Sequence, residues 1–314
     1  MKSIFRTILE PNEWSEKVSF GDGIFLIGSC FAEKMGVRFQ RYKFDICLNP
    51  FGILFNPESI ATALEMIIQG KQFSIDDLDF DGSLYHSFYH HGRFSGKEPQ
   101  SVIDEINRDI LIGKTYLEKS RFLLVTFGSA WVYEEKVKQR IVANCHKFPN
   151  QNFLKRLLTH DEIVNSWNQL LGKLRNFNPD VRVVFSVSPV RYLKDGFAEN
   201  QLSKSHLLIA ANQLSEHGGV QYFPSYEIFM DDLRDYRFCS QDMVHPSADA
   251  VQYIWEKLLH SAMDYQTTQL LDSLEKYLLL AEHRSMHESE EEKMLRLDKS
   301  KRGIEMLISG YRQG

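Results

Sequence analysis

Apolar positions along this chain follow two rhythms. Short, nearly unbroken runs, IFLIG (24–28), RFLLVTFG (121–128), VRVVFSVSP (181–189) and the weaker GVQYFPS (219–225), are rich in Phe, Leu, Ile and Val. Runs without polar alternation predict strands covered on both faces, as in a parallel sheet. Other segments repeat every three to four residues. Phe31, Met35 and Phe39 fall on one helical face. Ile163, Trp167, Leu170, Leu171 and Leu174 form a second stripe, with Asp161 near its start, where a carboxylate suits a cap or the helix dipole. Val251, Ile254, Trp255, Leu258 and Leu259 form a third, with Ser247 as its N-cap after Pro246. Strands alternating with helices predict an α/β layer fold with about five parallel strands.

The last fifty residues break this pattern. Residues 265–314 are charged and helix-prone and include the acidic run ESEEEK at 288–293. The chain therefore divides into an α/β domain over 1–264 and a helical extension over 265–314. A hairpin packed on the domain is expected; the alternative is a helix pair that joins two copies as a homo-oligomer.

Composition narrows the function. A net charge of −5 provides no basic footprint for nucleic acid and no polybasic cluster for an anionic membrane. No apolar run reaches the roughly 18 residues of a membrane span. The stretch MKSIFRTILEPNEW lacks the apolar centre and cleavage site of a signal peptide. Cysteines at 30, 47, 145 and 239 form no CxxC pair, so neither a disulfide scaffold nor a zinc site is expected. Reduced thiols, a cytoplasmic location and no cofactor follow as expectations.

Two places carry chemistry together. In LIGSCFAEKMG (26–36), Ser29 and Cys30 stand side by side where a buried strand gives way to a helix. In QDMVHPS (241–247), Asp242 precedes His245 by three residues, just before another helix. Open α/β sheets bind ligands at the carboxyl ends of their strands, where these two segments would meet. A hydroxyl or thiol attacks an acyl carbonyl when an imidazole takes its proton and a carboxylate orients that imidazole. A helix N-terminus adds oriented N–H groups that stabilise an oxyanion or a thiolate. Taken singly, Ser-Cys at a helix start also reads as a cap beside a small buried residue.

Several further stretches add a resemblance: NPFGILFNPESI (49–60), HSFYHHGRFSG (86–96), TFGSAWVY (126–133), VANCHKFP (142–149), SVSPVRYLKDG (186–196), NQLSKSHLL (200–208) and DLRDYRFCSQDMVHPS (232–247). With the GSCFA motif at 28–32, they resemble the GSCFA family, which is similar to the SGNH/GDSL hydrolases. The resemblance covers about residues 20–260 and implies a flavodoxin-like, three-layer α/β/α fold. It also implies an acid–base pair at Asp242 and His245. Laid without a gap, the superfamily's Gly-Asp-Ser turn puts its nucleophile on Cys30; a slip of one residue puts it on Ser29. Gly52 in NPFG matches the oxyanion-hole glycine. The superfamily's asparagine after the third strand is missing here; Gly128-Ser129-Ala130 stands in its place, with Ser129 or the Trp131 indole as substitutes.

The resemblance thus implies an ester or thioester hydrolase, or an O-acyltransferase, acting on a small molecule or a glycan. The missing asparagine supports the rival, a catalytically silent module that binds an acylated ligand. His86, His90 and His146 sit in aromatic-rich loops suited to substrate contact; metal ligation is disfavoured because no HExxH-type glutamate accompanies them. Arg191 follows the fourth strand, where it either binds a carboxylate or phosphate or pairs with Asp242 or a neighbouring acid.

Overall fold

The structure, a computed structural model, describes residues 7–283 and 289–313. The first six residues of the N-terminal stretch, Glu288 at the head of the acidic run and Gly314 lie outside them. In chain order the elements begin with β1 (Ile24–Gly28), α1 (Cys30–Arg41), β2 (Ile46–Leu48), α2 (Pro57–Gln69), the hairpin β3 (Asp79–Phe80) and β4 (Tyr85–His86), and α3 (Pro99–Lys119). Then come β5 (Phe122–Phe127), β6 (Trp131–Glu135), β7 (Arg140–Val142), β8 (Phe153–Leu157), α4 (His160–Phe177), β9 (Arg182–Val187) and α5 (Phe197–Leu214). The chain continues with β10 (Val220–Phe223), α6 (Ser225–Glu227), α7 (Ala248–Ala262), α8 (Tyr265–Glu282) and α9 (Glu290–Gln313).

Among the described residues, five strands form one parallel sheet in the order β10-β9-β5-β1-β2. Counted along the chain, these core strands lie 2-1-3-4-5, the flavodoxin-like order that the resemblance implies. Alternation along β1 and β5 divides the core between the two sheet faces. Phe25, Ile27, Leu123 and Val125 join the stripes of α2, α3, α4 and α5 on one face. Ile24, Leu26 and Phe122 join those of α1, α7 and α8 on the other. The molecule is thus α/β/α in three layers.

Local signals account for the helix ends. Ser247 caps α7 by accepting the Ala250 N–H, as expected. For α4 the cap is Thr159, in a capping box with Glu162; Asp161 falls in the first turn, two residues too late to cap, where it still meets the positive end of the helix dipole. α8 is more than a surface decoration: Leu270, Leu271, Leu274 and Leu278 are buried in the same apolar cluster as Phe39 and Trp255. Arg41 on α1 forks onto Glu275 and Glu282 of α8. No described helix is long and apolar enough to cross a membrane.

Two insertions stand at the carboxyl end of the sheet. β6, β7 and β8 form a small antiparallel sheet between β5 and α4. The β3–β4 hairpin and the loop after it fill the space between α2 and α3 in sequence.

Candidate active site

β1 and β5 are neighbours whose chains leave toward opposite faces, one into α1 and the other, by way of the inserted sheet, into α4. The crevice between them is the topological switch point of the sheet. Gly28 makes the turn out of β1 at φ 141°, and a Cβ there would lie 2.3 Å from the Thr126 carbonyl oxygen of β5, so only glycine fits. Its N–H donates to Asn49 Oδ1 at 2.9 Å, and its carbonyl accepts the Leu54 N–H at 2.9 Å. The turn is fixed on both sides.

Ser29 and Cys30 take different positions in that turn. Ser29 is only 1% exposed and is the N-cap of α1: its Oγ accepts the Phe31 N–H at 3.3 Å. Cys30 is the first helical residue and half-buried. Both line a cavity of about 330 Å³ with His245, Asn56, Gly128 and Ser129; Phe55, Trp131 and Tyr133 give it an aromatic wall. Burial pushes the Cys30 thiol pKa up, and the charges of Lys34 and Lys204 pull it partly back.

His245 reaches this cavity on a tight loop. Asp242 Oδ1 accepts the N–H groups of Val244 and His245 at 2.9 and 3.0 Å, while Oδ2 lies 2.7 Å from His245 Nδ1. These backbone donors and the imidazole hold the Asp242 carboxyl far below the usual carboxylate range. With Nδ1 turned to the carboxylate, Nε2 is the atom that can take a proton. Lys34 Nζ donates to the Pro246 carbonyl at 3.4 Å, tying this loop to α1.

The remaining expected residues divide. Ser129 and Trp131 line the cavity, but the N–H groups of Gly128 and Ser129 both donate to the Phe55 carbonyl, at 2.7 and 2.9 Å. The Trp131 indole N–H donates to the Glu199 carbonyl at 3.2 Å. Gly52 is not among the cavity-lining residues: its N–H donates to the Asn49 carbonyl at 2.7 Å, and it packs under His91. Sequence reasoning passed over Asn56, which lines the cavity and caps α2 by accepting the Ser59 N–H at 2.7 Å. Its signal was an Asn directly before Pro57, inside the quoted NPFGILFNPESI stretch.

The histidines of the loops lie in the insertions rather than against this cavity. His86 contacts Asp81 at 2.8 Å and Ser95 at 2.7 Å. His90 is fully buried and stacked on Phe51 at 4.2 Å, and burial lowers its pKa to about 3. His146 is 2.9 Å from the Ser87 carbonyl, and burial lowers its pKa to about 4. The Arg191 guanidinium lies over Phe197 and Tyr236 and faces a neighbouring groove, while Asp242 pairs with His245. Among the described residues, no group of three or more His, Cys, Asp or Glu is arranged to hold a metal ion.

Among solved structures, the chain is similar to a carbohydrate esterase family 3 protein from Talaromyces cellulolyticus, with 12% identity, 80% of this chain and 98% of that chain covered, and a TM-score of 0.37. It is also similar to an acetyl xylan esterase (Est2A) from Butyrivibrio proteoclasticus, with 9% identity, 77% of this chain and 63% of that chain covered, and a TM-score of 0.37. No curated protein gives a significant match. The model of the GSCFA family matches residues 23–258, from β1 into α7, and the chain belongs to that family.

Proposed function

We propose that this protein takes an acyl group from an ester or thioester, with Cys30 as nucleophile and His245 as its base. One observation carries this reading: Cys30 at the start of α1 and His245, oriented by Asp242, line one cavity at the switch point of the sheet. Cys30 is favoured over Ser29 because the serine hydroxyl is buried and engaged as a helix cap, so attack by it would uncap α1.

Cys30 Sγ attacks the acyl carbon as its proton passes to His245 Nε2. The tetrahedral oxyanion faces the start of α1, and the Asn56 carboxamide, whose Nδ2 also donates to Ser59 Oγ at 2.9 Å, is the side-chain donor nearest in role to the missing asparagine. Collapse breaks the bond to the leaving oxygen or sulfur, which takes the proton back from His245. Water, or an acceptor hydroxyl, then attacks the carbonyl carbon of the S-acyl intermediate as its own proton moves to His245; the C–S bond breaks, and Cys30 takes that proton back and is released as thiol. The aromatic wall suits either an apolar acyl chain or a sugar face, so a small-molecule or glycan ester is the substrate class.

A second reading has its own support. The N–H groups of Gly52, Gly128 and Ser129 are all engaged within the protein, which favours binding an acylated ligand without turnover.

The test is hydrolysis of p-nitrophenyl acetate and butyrate, with intact-mass labelling by iodoacetamide and a fluorophosphonate. Wild type, Ser29→Ala, Cys30→Ala and His245→Ala are compared. Turnover and a thiol adduct that vanish in Cys30→Ala and fall in His245→Ala are expected. A fluorophosphonate adduct lost only in Ser29→Ala would move the nucleophile to serine. No turnover and no adduct in folded wild type would favour the binding module.

A further inference from the structure

The inward face of α5 is polar where it meets the strand ends and apolar beyond. Asn200, Ser203 and Lys204 are buried there, and Leu207, Ala210, Ala211 and Leu214 continue the stripe. Each polar member holds a residue that lines the cavity or directly adjoins its lining. Asn200 Oδ1 accepts the Tyr192 N–H at 3.1 Å, and Ser203 Oγ accepts the Ala130 N–H at 2.8 Å. Lys204 is 1% exposed, and its Nζ donates to the carbonyls of Gly128 at 2.8 Å and Ser188 at 2.7 Å. Those two residues directly follow β5 and β9 and line the cavity beside Cys30.

A buried ammonium is costly unless hydrogen-bonded and matched by negative charge. Among the described residues, the hydrogen-bond partners of Lys204 are carbonyls, which satisfy its donors without cancelling its charge. The titratable groups that face it are Cys30 of α1 and the Tyr226 ring, 5.5 Å from Nζ. Cys30 itself faces Lys34 and Glu33 of its own helix, and His245 across the cavity. We propose that Lys204 is a positioning residue of this site: it clamps the two strand-end turns that form the cavity floor, and its ammonium is the buried counter-charge for the Cys30 thiolate. Burial lowers the Lys204 pKa to about 7 and raises that of the Cys30 thiol, while the charge of each acts on the other against its burial. The inference rests on the reading of Cys30 as the working thiol.

The experiment is the pH dependence of Cys30 alkylation by iodoacetamide, followed on the Cys30 peptide by mass spectrometry in the full chain. Wild type, Lys204→Met and Lys204→Arg are compared. In Lys204→Met the midpoint should rise by about one pH unit, and the rate at pH 7 should fall about tenfold. Lys204→Arg keeps the charge and should stay at or below the wild-type midpoint. A Lys204→Met midpoint equal to wild type overturns the proposal, because a purely structural role would leave the thiol unmoved. If Lys204→Met does not fold by circular dichroism, Lys204→Arg decides: a midpoint above wild type overturns the counter-charge. Ester turnover that persists in Cys30→Ala would overturn the nucleophile assignment alone, and a shifted midpoint would still support the Lys204–Cys30 pair.

Discussion

The main-chain N–H of Arg191 donates to the carbonyl of Val244 at 2.9 Å. That bond joins the turn leaving β9 to the loop that carries His245. With Lys34 Nζ on the next carbonyl but one, the imidazole is held by backbone on one side and by α1 on the other. Its orientation then depends on Asp242. We predict that Asp242→Asn lowers ester turnover by about 10²–10⁴-fold, because the amide keeps the backbone acceptor but favours the wrong imidazole tautomer. Binding of a non-hydrolysable substrate analogue should change little. Equal loss of turnover and of binding would instead point to a collapsed loop.

The paired residues of the turn should separate cleanly. Ser29→Ala removes the cap of α1 and is expected to cost about 1 kcal/mol in urea unfolding. Its turnover should stay within a few-fold of wild type. Cys30→Ala should unfold with nearly wild-type stability and have no turnover. The reverse pattern would assign the chemistry to Ser29.

Much of this arrangement was legible in the sequence. The runs at 24–28, 121–128, 181–189 and 219–225 became four of the five core strands, because burial on both faces leaves an unbroken apolar signature. β2 escaped individual notice: three residues, Ile46–Leu48, are too few to carry a period. The inserted sheet escaped as well, since its strands cross a half-exposed surface with mixed polarity. Asp242 and His245 could be named from a local spacing of three residues. Lys204 could not, because NQLSKS reads as a solvated helix face until the tertiary structure turns it inward. Gly52 was implied by the resemblance through NPFG, but a sequence match says nothing about where its N–H points.

Acid should act on the insertions through their histidines. His90 and His146 have folded pKa values of about 3 and about 4, below the ordinary 6.5, mainly through burial. The unfolded chain therefore binds more protons than the folded one below about pH 6.5, and stability falls as pH drops through this range. The decline contributed by His146 ends near pH 4, and that of His90 near pH 3. Each contributes a slope of at most about 1.4 kcal/mol per pH unit. His90→Phe, which retains the stack on Phe51, should flatten the decline between pH 6 and 3. An unchanged slope in urea titrations across that range would remove His90 from the account.

The C-terminal helices should behave as part of the molecule's own core. Arg41→Ala breaks the fork onto Glu275 and Glu282, a partly exposed network with an expected contribution of about 1 kcal/mol. Hydrogen exchange should rise along α8 while turnover is retained. Truncation after residue 264 uncovers Phe39 and Trp255 and should sharply lower the melting temperature. A truncated chain that melts like wild type would mean that these helices serve association instead.

The crevice at the switch point has a consequence for how such a chain changes over generations. It opens because β1 and β5 send their chains to opposite faces, a matter of winding order rather than of the side chains at its rim. Exchanging residues along that rim leaves the winding untouched, so the hollow persists whatever lines it. One scaffold can thus acquire, exchange or abandon a reaction and keep its shape throughout.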